Sequence, residues 1–152
     1  MITDIGFSDI INTLYDKYGY IAIGTGSTPA TATDTTLETE TKREVVTKSK
    51  STTSRTDDTI TMYSLFTISS GTTFNEVGLF SALSAGDMFT RIVEPVVIKS
   101  GYQMRATIQI IVSETDDWFN YCSSKWIDYC RKNELDTVLY SRWNSQIKYF
   151  KY

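Results

Sequence analysis

Two adjacent acid pairs, Asp57-Asp58 and Asp116-Asp117, are the residues whose type comes nearest to hydrolytic chemistry. A glycosidase needs two carboxyl groups facing each other across its substrate at ~5 to 9.5 Å, which neighbours in sequence do not do. A turn at the first pair and a helix start at the second account for both. The sequence contains no histidine, which removes the Ser-His-Asp triad, histidine-ligated zinc and the histidine general base. The expectation is a protein that is not an enzyme, with no catalytic, cofactor-binding or metal-ligating residue.

Other local patterns lead the same way. Gly24-Thr25-Gly26-Ser27 has the glycines of a phosphate cradle but neither the Gly-Lys-Ser/Thr ending of a P-loop nor the third glycine of a dinucleotide fingerprint. A turn is the simpler reading. Lys42, Arg43, Lys48 and Lys50 are interrupted by Glu44 and suit a solvated hairpin better than a polyanion site. Cys122 and Cys130 lack Cys-x-x-Cys spacing; on a helix they would lie ~12 Å apart, beyond disulfide reach, and read as buried thiols.

Composition bounds the rest. With 152 residues, 41% hydrophobic and 22% charged, the chain fits one globular domain with an appendage and not a disordered tail. A net charge of -3 and a pI near 4.9 argue against nucleic acid as a partner. No stretch reaches the ~20 apolar residues of a membrane span, and Met1-Ile2-Thr3-Asp4 is unlike a secretory signal, so no membrane insertion is expected.

Strands must position whatever site exists. A short N-terminal helix is expected first, capped at Ser8 and carrying Ile10, Ile11, Leu14, Tyr15 and Tyr18 on one face until Gly19 ends it. Tyr20 to Ile23 suits a buried strand. Asp34 is placed to cap one helical turn that carries Leu37 inward. From Arg43 to Lys48 the chain alternates, with Val45 and Thr47 on one side and Glu44, Val46 and Lys48 on the other.

Thr59 to Ile68 is the clearest strand, with Ile60, Met62, Ser64, Phe66 and Ile68 on one face, and it should pair with the strand before it. Phe74 to Phe80 and Met88 to Val93 follow, with Pro95 expected to break the second. Tyr102 to Val112 is the last long strand. Glu76, beside apolar neighbours, either has a partner in Arg43 or Arg91 or is an exposed strand residue. Gly78 suggests a bulge or a close backbone approach. The fold class is mainly β (α+β), a β-sandwich-like domain with a short N-terminal helix.

Ile23-Gly24-Thr25-Gly26, Thr36-Leu37-Glu38 with Arg43, Glu76-Val77-Gly78-Leu79-Phe80, and Gly86 to Arg91 occur in an order and spacing that resembles a small β domain. That domain is found in tail fibre, collar and baseplate proteins of tailed phages and related viruses. The resemblance runs roughly from Ile21 to Ser113. It implies a structural virion component, an adaptor linking tail tip and fibres. The alternative it leaves open is a receptor- or glycan-binding adhesin of the tail tip. It further implies a homo-oligomer, a trimer in many such proteins, partnered by other tail or baseplate proteins and located in the virion after assembly in the host cytoplasm.

The resemblance does not reach residues 115–152. Division into a β module over 1–114 and an aromatic-rich extension over 115–152 follows. Thr115-Asp116-Asp117 suits a helix start, and Trp118, Phe119, Cys122, Trp126, Tyr129 and Cys130 recur at helical intervals; the final stretch from Leu135 to Tyr152 is open between helical, extended and mixed. All three tryptophans fall here. Trp and Tyr dominate binding hot spots, which makes Trp118, Trp126, Tyr129, Trp143, Tyr149 and Phe150 the candidate protein interface. The plainer reading packs them onto their own domain.

Overall fold

Alternation of apolar and polar side chains in the middle of the chain builds two antiparallel sheets that bury a shared core. The computed structural model describes residues 3–53 and 55–112, together with the backbone of 126–131, 134–139 and 147–151. It is mainly β with one helix, a β-sandwich-like α+β arrangement without a closed barrel among the described residues. One sheet has the order β2-β1-β5-β6 and the other β3-β4-β7-β10-β9-β8.

Helix α1 (Asp4–Lys17) starts earlier than its sequence suggested. Thr3, not Ser8, is the N-cap, and its hydroxyl accepts from Gly6 N at 3.2 Å. Asp4 in the first turn and Lys17 in the last complement the helix dipole. Phe7 and Ile11 are buried, whereas Ile10 points outward.

Strand β1 (Tyr20–Gly24) is buried as expected and lies between β2 (Glu40–Val45) and β5 (Thr72–Phe80). The alternating segment after residue 40 is two strands rather than one. Val46 N donates to Gly19 O at 2.9 Å, and the chain leaves β2 there to enter β3 (Thr47–Ser51) in the opposite sheet. The alternation persists across the switch, with Val45 and Thr47 exposed and Val46 and Lys48 half-buried.

Strand β4 (Thr59–Thr67) buries Ile60, Met62, Ser64 and Phe66, with Ile68 following beyond its end, and pairs with β3 across the polar turn. Its other neighbour is β7 (Gln103–Ile111). Ile21, Ile23, Val77 and Leu79 of one sheet meet Ile60, Met62, Phe66, Met104, Ala106 and Ile108 of the other, with Ile11 of α1 closing the same cluster. Burial of side chains of this size contributes about 1.5 to 3 kcal/mol each, so this contact holds the sandwich.

Pro95 does not break its strand. Strand β6 runs unbroken over Met88–Ile98 as an outer strand of its sheet. Phe74 pairs with Val96 and Glu76 with Val93, so Asn75 alone faces Glu94 and Pro95. A bulge on an outer strand is where a residue lacking an N–H costs least.

The helical expectation for the C-terminal extension is also corrected where its backbone is described. Trp126, Tyr129 and Cys130 lie on β8 (Trp126–Arg131), which pairs with β9 (Glu134–Leu139). The spacing of Trp126 and Cys130 fits both periods, Tyr129 fits only the helical one, and Trp, Ile and Tyr favour strands. Strand β10 (Ile147–Lys151) pairs with β7, continuing the second sheet. Trp118, Phe119 and Cys122 lie outside the described residues.

Candidate functional site

Strand β5 presents two faces because its side chains alternate. Val77 and Leu79 enter the sandwich core, while Glu76, Gly78 and Phe80 face the other way. On that outer side lies a strap, residues 25–39, which joins β1 to β2. Leu37 of the strap is buried against Ala22 and Phe80 in a second, smaller apolar cluster. The expected helical turn at Asp34 is not formed; Leu37 does turn inward, but Asp34 instead accepts from Thr31 N at 3.0 Å and Thr31 Oγ1 at 2.7 Å. Both bonds lock a tight turn, the local use to which short Asp side chains are suited.

Glu76 is 3% exposed and fully partnered. Its Oε1 accepts from Gly26 N at 3.1 Å and Thr39 N at 2.7 Å, and its Oε2 from Glu38 N at 3.0 Å and Arg91 Nε at 2.8 Å. Of the two arginines the sequence offered as its partner, Arg91 is the one, and the exposed-strand reading is excluded. Arg91 donates Nη1 to Asp34 Oδ2 at 2.7 Å and Nη2 to Thr28 O at 3.1 Å. Glu38 Oε2 stands 3.6 Å from Nη2 and accepts from Thr28 N at 2.9 Å, while Glu38 Oε1 accepts from Thr28 Oγ1 at 2.7 Å.

Charges in this cluster are set by those donors. Burial opposes the Glu76 carboxylate, but the Thr39 N–H, the Arg91 guanidinium and the N–H groups of Glu38 and Gly26 outweigh it and hold the group below the ordinary carboxyl range. The hydroxyl and N–H of Thr31, with Arg91, hold Asp34 at about 2. The N–H and hydroxyl of Thr28 lower Glu38 likewise.

Glycines make this geometry possible. A Cβ on Gly24 would stand 2.5 Å from Glu76 Oε1, and one on Gly26 would stand 2.6 Å from the same oxygen. The expected turn at Gly24-Thr25-Gly26 is not formed, since Gly24 ends β1 and Thr25 N still donates to Thr39 O, but the segment does hold an anion, the chain's own Glu76 carboxylate. Gly78 serves the close approach its sequence suggested, since a Cβ there would meet the Phe80 ring at 2.8 Å and Leu37 at 3.0 Å. The bulges of β5 fall instead between Phe74 and Glu76 and between Leu79 and Phe80.

Arg43 holds the neighbouring turn. It donates Nη1 to Ala82 O and Ala85 O, both at 2.7 Å, pairs with Glu40 at 2.6 Å, and lies 3.6 Å over the Phe80 ring. The remaining basic positions of that region also contact the chain itself: Lys42 pairs with Glu44, Lys48 donates to Tyr15 O and Lys50 to Asn12 Oδ1. Asp58 is buried and accepts from Thr53 N at 2.7 Å and Arg55 N at 2.8 Å, as a turn residue does. Asp116 and Asp117 lie outside the described residues.

The candidate interface residues are divided. Trp126 and Tyr129 lie on β8, and Tyr149 and Phe150 on β10, where they pair with Ala106 and Arg105 of β7; strand β9 runs between the two. Trp118 and Trp143 lie outside the described residues. Sequence reasoning offered Arg91 as one of two possible partners of Glu76 and missed Asp34 and Glu38 as further members of the cluster. The only signal was that the Thr-rich strap carries two acids, Asp34 and Glu38, and no basic residue.

Three carboxylates around one guanidinium could suggest acid–base or cation chemistry. Among the described residues, however, no group of three or more His, Cys, Asp or Glu is arranged to hold a metal ion. Each carboxylate here is already bonded to an amide or hydroxyl of the strap, so the arrangement fastens the strap to the sheet. Compared with known proteins, the chain matches no family model, no curated protein and no solved structure.

Proposed function

We propose that this protein is a structural, non-enzymatic component of a viral tail, an adaptor between tail tip or baseplate and fibres that works as a homotrimer. One observation carries the proposal: the segments that resemble the tail and baseplate domain meet in two adjoining fastenings. Gly24 and Gly26 admit the Glu76 carboxylate, Glu38 and Thr39 donate to it, Arg91 pairs with it, and Arg43 ties β2 to the turn after β5. Residues serving a scaffold in this way suit a module whose activity is assembly.

Mass photometry and pull-down with the products of flanking tail genes test it. A trimer that captures one of those products is expected. A stable monomer that captures none would overturn the proposal, and binding of that monomer to host envelopes would select the adhesin instead.

A further inference from the structure

The strap between β1 and β2 has no helix or strand of its own. Thr25 N donates to Thr39 O at 3.0 Å and closes its neck. Gly26, Glu38 and Thr39 anchor it by donating their amides to Glu76 of β5, while Thr28 donates to Glu38 and Thr31 to Asp34 within the strap. All three carboxylates meet Arg91, whose side chain is 4% exposed. Long segments without regular structure are commonly lids or binding loops, and this one covers an apolar floor of Ala22 and Phe80, flanked by Tyr20 and Met88.

We propose that the strap opens and closes as one unit with Arg91 as its latch, uncovering the Ala22 and Phe80 floor while the sandwich stays folded. Coupling follows from the electrostatics. Without Arg91, Glu76 would keep a buried charge short of one charged partner and Asp34 would lose its bond to β6. Independence from the rest follows from the packing, because the floor cluster shares no residue with the core between the sheets. Segments of this kind open at a free energy below that of global unfolding.

Native-state hydrogen exchange on the intact protein, read amide by amide, tests the proposal. Gly26, Glu38 and Thr39 should exchange through one common opening, faster than the amides of β4 and β7. Arg91→Gln should speed all three together by ~10- to 100-fold and leave β4 and β7 unchanged. Should that variant fail to fold, Asp34→Asn supplies the same comparison, with the effect on Glu38 and Thr39, which do not donate to Asp34, as its readout. Unrelated rates among the three, exchange only with global unfolding, or a variant that moves Glu38 alone would each overturn the proposal.

Discussion

Arg91 and Glu76 face each other diagonally across β5 and β6, Nε to Oε2 at 2.8 Å, with Gly78 opposite Arg91 in the register. Cross-strand diagonals are within reach of long side chains, and the missing side chain at position 78 leaves room above the sheet for Leu37 of the strap. The pair therefore joins two strands and a loop at once.

Breaking it from either side leaves a buried charge. Glu76→Ala and Arg91→Ala are each expected to destabilise by about 3 to 5 kcal/mol, since the partner of a removed buried ion stays uncompensated. In chemical denaturation the double variant should lose less than the sum of the two. Additive losses would show that the pair is not coupled.

Gly78→Ala is expected to cost about 1 to 3 kcal/mol through forced displacement of Phe80 and Leu37. Leu37→Ala in the same background should recover part of that loss. A thermal melt of the three proteins reads the difference directly.

Acid should loosen the strap. Folded carboxyls at Asp34, Glu38 and Glu76 lie below their ordinary values of 3.8, 4.5 and 4.5. Their contribution is therefore complete above those ordinary values and is lost as pH falls through the folded ones, down to about 2 for Asp34. Tm should be flat from neutral pH to about 5 and then fall. Asp34→Asn/Glu38→Gln should flatten the fall, and an unchanged acid limb in that variant would contradict the assignment.

Assembly should depend on the extension. Trp126→Ala/Tyr129→Ala is expected to weaken self-association by ~10-fold or more, the usual scale for aromatic hot spots, with the β circular dichroism of the module retained. Sedimentation velocity at several concentrations checks it. An unchanged oligomer would move the interface elsewhere.

How far the sequence could be read depended on whether local alternation or distant bonding decided each element. Ile60, Met62, Ser64 and Phe66 spell out β4 because one face is buried. The strap was illegible, since its shape depends on bonds from Glu76 to amides 50, 38 and 37 positions away. For the backbone of β8, Trp126 and Cys130 satisfied helical and strand periods equally while Tyr129 fitted only the helical one, and pairing with β9 decided for the strand. Glu76 lay between these cases: its need for a partner was readable, and the choice of Arg91 over Arg43 required the register of β5 on β6.

Pro95 carries a consequence for how copies of this protein can meet. An incoming strand laid along the free side of β6 would meet at that position a residue with no amide hydrogen, beside a break in the β5–β6 register. Open-ended stacking of sheet on sheet edge, the route to fibrils, is thereby interrupted on that side. Copies at high local concentration are thus kept from polymerising along this border.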